Sequence, residues 1–209
     1  MASITNVVLS MDEDGLSMFM GVLRKGVRVE GHVGLSIGGF LREEIGMDAE
    51  YIESRIQTIF LNGRPVDDVE AAVIGDGDAL ALSASMPGLA GATLRKGGHF
   101  AGLRSTISYR EEGSAKRSGK GVVTIKLFNL IAKELAPLFF ERGFIMDGED
   151  FSGVLHSHHE TLSAGLRSVE IDGQAEDMEK LEITDWDPKE VFLRVRMNES
   201  SVGHRRGNV

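Results

Sequence analysis

Two turn motifs, with the apolar runs beside them, restrict what the first half of this chain can form. The run Ile56–Leu61 ends at Asn62-Gly63, and Asp76-Gly77-Asp78 leads into the alternating run Asp78–Ala84. Asn-Gly accepts the positive φ of a tight turn, and Asp-Gly steps favour turns for related reasons. Short apolar runs bounded by such turns are typical of strands. The sequence therefore predicts two strands, Ile56–Leu61 and Asp78–Ala84, in one sheet.

The segment upstream of these strands predicts a hairpin followed by a helix. Residues 17–35 are expected to form two strands around a turn at Lys25-Gly26. Ser36–Gly46 is predicted to be a helix, because Ser36 is a suitable N-cap and apolar residues recur at a spacing of four. Gly38 and Gly39 each weaken a helix by roughly 1 kcal/mol relative to alanine. Their presence indicates that another segment packs close to the first turn.

This order of two strands, a helix and two further strands is the β-grasp arrangement. The stretch LNGRPVDD…GDGDALAL resembles the ubiquitin-like sulfur carriers of thiamin and molybdopterin synthesis, over roughly residues 18–91. The residues that match the family pattern are Asn62, Gly63, Val66, Asp67, Asp76, Gly77 and Asp78. The resemblance implies a ubiquitin-like fold there, and recognition of a protein partner or small ligand through exposed sheet and tail surfaces.

The chain departs from the carrier pattern after this stretch. The carriers end in a free Gly-Gly whose carboxylate is adenylated, whereas this chain continues through SMPGLAGATLRKGGHFAGL and beyond. The segment Thr93–Gly98, TLRKGG, is similar to a ubiquitin-type tail and would serve as one only after cleavage behind Gly98. A glycine connector is the favoured interpretation, and a sulfur-carrier relative that requires processing after Gly98 stays an alternative.

Charge and glycine content divide the 209 residues into three expected regions. Residues 1–91 are expected to form the β-grasp module, and residues 122–209 a smaller α+β part with a frayed C-terminal tail. Residues 92–121 are rich in Gly, Ser, Lys and Arg and are predicted to be a basic connector. The fold class expected for the whole chain is α+β.

Composition excludes several classes of protein. The chain has no cysteine, so disulfides, thiolate metal sites and cysteine nucleophiles are excluded. Its net charge of −9 disfavours nucleic acid, because phosphate binding depends on clustered Lys and Arg. No apolar run approaches the ~18 residues of a membrane span, and the N-terminus lacks the features of a secretory signal. We expect a cytoplasmic protein with a protein partner, or with a second copy of itself.

The glycine-rich segment Gly113–Gly121, GSAKRSGKG, does not have the spacing of a phosphate-binding loop. Five residues instead of four separate Gly113 from Gly119, and the segment precedes a strand. A solvated loop is the favoured interpretation. A looser anion-binding role for Lys116, Arg117 and Lys120 is the alternative.

The cluster HSHHE is the one candidate for metal chemistry in the sequence. It comprises His156, His158, His159 and Glu160. On a strand, His156 and His158 would share a face, and imidazole pairs of that spacing can chelate zinc or iron. A solvated cluster is the favoured alternative, since the chain lacks a zinc-hydrolase signature.

The sequence thus predicts a soluble β-grasp binding module without evident catalytic residues. The first alternative is a metal-dependent enzyme or metal-binding protein centred on His156–Glu160, with a divalent ion as its cofactor. The second alternative is the processed sulfur-carrier relative.

Overall fold

A computed structural model describes residues 4–104, 107–109 and 118–197 of the chain, which has a mixed α/β fold. The chain forms two compact units. The inserted unit is Gly21–Phe139, and the terminal unit combines Met1–Met20 with Phe140–Val209. This division differs from the expected boundaries at 91 and 121, because strands distant in sequence pair with one another in each unit.

The elements of both units follow one another closely along the chain. The strands are β1 Ile4–Met11, β2 Val27–Val33, β3 Thr58–Leu61, β4 Arg64–Pro65, β5 Ala79–Ser83, β6 Gly119–Phe128, β7 Phe144–Asp147, β8 Leu166–Ile171, β9 Gln174–Glu176 and β10 Glu190–Met197. The helices are α1 Glu13–Leu16, α2 Met20–Lys25, α3 Ile37–Glu43, α4 Ala49–Ser54, α5 Gly88–Leu94, α6 Asn129–Arg142, α7 Gly148–Ser157, α8 His159–Gly165 and α9 Met178–Ile183, with short 3₁₀ helices at Ser17–Phe19 and Ala101–Arg104. Within the described residues, none of these helices has the length and apolarity needed to cross a membrane.

The sheet of the inserted unit has the strand order β4-β3-β5-β6-β2. β2 is antiparallel to β6, with Gly31 opposite Gly121, and β6 is parallel to β5. β5 is antiparallel to β3, so the two predicted strands Ile56–Leu61 and Asp78–Ala84 are confirmed as neighbours in one sheet. β3 then pairs with the two-residue strand β4.

The hairpin predicted around Lys25-Gly26 is wrong. Residues 17–25 form the 3₁₀ turn and α2, and the antiparallel partner of β2 is β6. The physical reason lies in the spacing of the apolar residues, because the buried side chains of this segment recur at the helical interval of four and not in alternation. These side chains are Met18, Phe19, Val22 and Leu23.

Helix α3 is confirmed, and its first turn is enclosed as the two glycines indicated. The Ser36 hydroxyl accepts a hydrogen bond from the Gly39 amide at 3.0 Å, as an N-cap should. The Gly38 amide donates to the carbonyl of Val69 at 2.9 Å. A Cβ at Gly38 would overlap the carboxylate of Glu70. The loop that follows β4 therefore covers the N-terminus of α3, and its carbonyls accept hydrogen bonds from amides that have no partner within the helix.

The sheet of the terminal unit, in the order β7-β10-β1-β8-β9, repeats that of the inserted unit strand by strand. β7 is antiparallel to β10, β10 is parallel to β1, and β1 is antiparallel to β8. β8 forms a hairpin with β9, as β3 does with β4. A helix follows the first strand of each series, α3 after β2 and α7 after β7. The same strand order and orientations therefore occur twice in this chain.

The hairpin turns of the two units also agree in detail. Asn62 and Gly63 have φ values of 51° and 77°, and Asp172 and Gly173 have values of 50° and 79°. The Asn62 amide donates to the Ala79 carbonyl and the Ala79 amide to Asn62 Oδ1, both at 2.8 Å. Asp172 exchanges the equivalent pair of hydrogen bonds with Asn6, again at 2.8 Å. In both units, one polar side chain thus joins the turn to the parallel central strand.

The core of the terminal unit surrounds Trp186, the one tryptophan of the chain. Its indole N–H donates to the Leu181 carbonyl at 2.9 Å, and its ring lies edge-on to Phe151 with centroids 4.9 Å apart. The Gly148 amide, at the start of α7, donates to the Lys189 carbonyl at 2.9 Å. The backbone around Trp186 therefore lies directly against the first residue of α7.

Gly148→Ala is expected to lower the free energy of unfolding by roughly 1–3 kcal/mol, the range for overfilled sites. A Cβ there would overlap the Trp186 carbonyl and lie 2.8 Å from the Lys189 carbonyl oxygen. Gly153→Ala in the same helix is the control, since nothing lies within 4 Å of its added Cβ. We expect that control to stabilise the helix by up to about 1 kcal/mol. Denaturant unfolding followed by Trp186 fluorescence measures both, and equal stability of the two variants would contradict the close contact at Gly148.

Asn62→Ala and Asp172→Ala should each lower the free energy of unfolding by about 1–2 kcal/mol, because alanine disfavours positive φ and cannot replace the side-chain acceptor. Asn62→Gly separates the two effects, since it relieves the backbone strain but still removes the hydrogen bond to Ala79. Its loss of stability should be smaller than that of Asn62→Ala. Thermal unfolding by circular dichroism gives the comparison, and an alanine variant as stable as the parent would refute the role assigned to the turn.

Candidate binding surface

A long connection between β5 and β6 forms the most distinctive surface of the inserted unit. We call residues 86–109 the strap, of which 86–104 and 107–109 are described. It contains α5 and the 3₁₀ helix Ala101–Arg104, and these two helices contact each other. The described residues of the terminal unit contain no counterpart, because β1 and β10, which correspond to β5 and β6, are not consecutive strands of the chain. The strap is therefore an addition to a strand arrangement that the chain otherwise uses twice.

Arg104 attaches the strap to the rest of the unit. Its side chain is only 4% exposed, which is unusual for arginine. The guanidinium forms a two-pronged ion pair with Asp67, with Nη2 2.7 Å from Oδ1 and Nη1 3.2 Å from Oδ2. Nε donates to the Thr93 carbonyl at 2.6 Å, Nη1 to Ser108 Oγ at 2.8 Å and Nη2 to the Arg95 carbonyl at 3.3 Å. Burial of this charge is tolerated because each of its nitrogens has a partner.

The segment TLRKGG lies within this attachment. The Gly97 amide donates to Asp67 Oδ1 at 3.1 Å, and Lys96 Nζ donates to the Ile52 carbonyl at 2.7 Å. Burial lowers the pKa of Lys96, and the nearby carboxylate of Glu53 acts in the opposite direction. Thr93–Gly98 is thus bound along the unit by side-chain and backbone contacts. Processing after Gly98 stays a prediction, and it would have to cut a bound segment.

The strap exposes several large apolar side chains. Six of the nine large apolar side chains that are exposed in the described residues fall within residues 89–130, and four of them belong to the strap. Those four are Leu89 at 70%, Phe100 at 42%, Leu103 at 73% and Ile107 at 56% exposure. Exposed large apolar side chains that form a contiguous patch mark interaction sites, so their concentration in one segment makes the strap a candidate.

An apolar pocket of about 280 Å³ adjoins the strap where it leaves β5. It is lined by Phe60, Ala81, Ser83, Met86, Phe128 and Asn129. Asn129 Nδ2 donates to Ser83 Oγ at 3.0 Å, so the polar atoms of the lining satisfy each other. Phe128 and Leu130 are the other two large apolar side chains that are exposed in the inserted unit's described part. The pocket therefore extends the apolar surface of the strap.

A second, polar groove of about 520 Å³ lies over the facing glycines Gly31 and Gly121. Its lining includes three carboxylates and one ammonium group, those of Glu30, Glu44, Asp76 and Lys120. His32 Nδ1 lies 3.4 Å from Glu44 Oε1. This balance of charge disfavours an anion, although Lys120 was predicted to contact one. Lys116 and Arg117, the other two residues of that prediction, lie outside the described residues, so the anion site stays a prediction.

The HSHHE cluster lies on two helices, and not on a strand, where His156 and His158 would share a face. His156 is in α7 and its Nδ1 is 2.8 Å from the Ser152 carbonyl, while His158 stands between α7 and α8. His159 Nε2 lies 3.0 Å from Glu182 Oε1, and Glu160 is in the first turn of α8. Across the part of the chain that is described, no three His, Asp or Glu side chains converge as metal ligands. Metal binding at these residues stays a prediction that the geometry does not favour.

Sequence reasoning missed Arg104 and the apolar surface of the strap. Asp67 was noted only as part of a turn pattern, and it proves to be the partner of Arg104. One signal was available, because residues 79–110 contain no Asp or Glu in a chain that has 32 of them. An acid-free stretch that also carries Leu89, Phe100, Leu103 and Ile107 is unusual for a solvated connector.

Arg104→Met should release the strap from the inserted unit. Asp67 and two backbone carbonyls would lose their donor, and a loss of about 1.4 kcal/mol in local stability multiplies the open population tenfold. Chymotrypsin should then cut after Phe100 or Tyr109 at least about tenfold faster. Arg95→Met is the control, since Arg95 is exposed and its side chain makes a single bond to Gln57. Unchanged cleavage in Arg104→Met would show that Arg104 does not hold the strap.

Comparisons with protein-family models, with curated proteins and with solved structures return no match for this chain. The resemblance to the sulfur carriers therefore rests on the turn residues alone and stays a prediction. The function has to be inferred from the chain's own contacts, of which the attached, apolar strap is the most specific.

Proposed function

We propose that this chain is a protein-binding module and that the strap, with the pocket beside it, is its docking surface. The observation that carries the proposal is the combination of burial and exposure within one segment. Arg104 is buried and fully bonded, while Leu89 and Leu103 on the same segment are 70% and 73% exposed. A segment that is held so firmly and still presents its largest apolar side chains to solvent is suited to receive a partner.

The fold proposed for the inserted unit is a β-grasp in which one strand is relocated. In the β-grasp, the central strand that is parallel to the last strand comes first in the chain and forms a hairpin with the second. Here the strand in that position is β6, which follows β5 through the strap. The helix after β2, the two-residue strand β4 and the strand order β2-β6-β5-β3-β4 support this proposal.

The relocated strand accounts for the length of the strap. A connection from β5 to β6 has to join the ends of two parallel neighbours, which requires a crossover of a dozen or more residues. The strap makes that crossover and adds the apolar surface. A docking function does not require a catalytic group. The proposed location of the protein is the cytoplasm.

A photo-crosslinking amino acid at position 103 tests the docking surface in the full-length chain. In living cells, the variant should form a discrete adduct that mass spectrometry can identify, because a docked partner would lie against this side chain. Position 183 is the matched control, since Ile183 is 70% exposed, on a surface that the proposal leaves free. An adduct at both positions, or at neither, would sink the proposed docking surface.

A further inference from the structure

The apolar pocket beside the strap results from the way in which large and small side chains pair across the sheet. Phe60 of β3 is opposite Ala81 of β5, and Phe128 of β6 is opposite Ser83. Because side chains alternate between the faces of a strand, Ala81 and Ser83 share one face, while β5 buries its two leucines on the other. Two aromatic side chains thus flank two small ones, which leaves a depression in this face of the sheet.

The start of the strap and the start of α6 complete the pocket. Met86 belongs to the strap, and Asn129 is the first residue of α6. Asn129 has a positive φ of 54°, which lets the helix begin directly after β6 without an intervening loop. Its side-chain amide donates to Ser83 Oγ at 3.0 Å and is held in place by that bond. The pocket is therefore preformed by the fold, as sites for small molecules usually are.

The described lining of the pocket carries no charge, because none of its six residues is ionisable. Lys126 is opposite Ala81 in β6, but its side chain extends towards β2 on the other side of β6, where a Cβ added to Gly26 would lie 3.1 Å from Lys126 Cε. A charged group that entered the pocket would lose its hydration without gaining an opposite charge. The pocket therefore selects an uncharged occupant.

The volume of the pocket limits the size of that occupant. An enclosed cavity of about 150 Å³ holds one benzene molecule. The present pocket, of about 280 Å³, has nearly twice that volume and suits a compact molecule of about two rings. Phe60 and Phe128 contribute aromatic surface and Met86 a polarisable thioether, and both favour contact with flat unsaturated rings.

We infer that this pocket is a binding site for a small, uncharged, largely apolar molecule of about two rings. The inference goes beyond the proposed function, because it assigns the pocket a ligand of its own whether or not a protein docks on the strap. A bound molecule would replace water against Phe60 and Phe128 and would become part of the docking surface. A tryptophan side chain of a docked protein has the same chemistry, so the experiment has to separate these two sources.

An NMR titration of the isotope-labelled full-length chain with indole, a neutral molecule of this size, tests the site. Indole should shift the backbone amides of the lining residues and saturate with a Kd of about 1 mM or lower, which is within the reach of so small a ligand. Tryptamine, the corresponding cation, should bind at least about tenfold more weakly than indole. Repulsion cannot explain that result, because a net charge of −9 attracts a cation.

Ala81→Ile should weaken indole binding at least about tenfold, because the added carbons occupy the pocket. Ala79→Ile is the matched control, since Ala79 lies on the same face of the same strand but does not line the pocket. Phe128→Ala removes one aromatic wall and should also weaken binding, so the test does not depend on one variant alone. The amide spectrum shows whether each variant is folded.

A parent chain whose pocket amides do not respond to indole would overturn the site, and so would equal binding to Ala81→Ile and the parent. Tryptamine that binds as tightly as indole would overturn the choice of an uncharged ligand. N-acetyltryptophanamide carries the backbone groups that accompany a side chain of a docked protein. Tighter binding of that compound than of indole would assign the pocket to a protein partner and overturn the inference. The crosslinker at position 103 tests docking separately, so failure of this site and failure of the docking surface are distinguishable.

Discussion

The ion pair between Arg104 and Asp67 is the interaction on which the rest of the proposed surface depends. Leu89, Phe100, Leu103 and Ile107 gain nothing from their exposure to water, so the strap that carries them must be held by other contacts. The buried guanidinium supplies those contacts, because it joins Asp67 to backbone carbonyls at two points of the strap. Arginine is suited to this role because its planar group presents five donors in fixed directions. Lysine, with one ammonium group, could not bond all of these acceptors at once.

The chain uses one arrangement of strands twice, and a small polar contact recurs with it. Asn62 and Asp172 both take positive φ. Each exchanges two hydrogen bonds with the central strand of its sheet, Asn62 with β5 and Asp172 with β1. Only short side chains with an oxygen acceptor can combine these two tasks. Against this common background the strap stands out as the part that one unit has and the described part of the other lacks. Differences between repeated units are where separate roles can arise.

Local features were predictable from the sequence, and pairings between distant segments were not. The Ser36 cap, the close approach at Gly38 and the Asn62-Gly63 turn depend on a few adjacent residues, and all three are confirmed. The strand partner of β2 lies about ninety residues downstream in β6, with Val27 opposite Ile125, so no local pattern could identify it. Arg104 was missed because a single arginine in a glycine-rich segment has no distinctive pattern. Its role follows from Asp67, which only the folded chain brings beside it.

The parallel pairing of β1 with β10 has a consequence for how the chain acquires its structure. Ile4 is opposite Glu190 and Met11 is opposite Met197, so the first described strand pairs with the last described one. All residues of the inserted unit leave the ribosome while β1 still lacks this neighbour. Contacts of such long sequence separation slow folding, because the entropy of closing the loop is lost before the pairing is gained. The inserted unit can therefore mature first, and it then shortens the effective loop that the terminal unit must close.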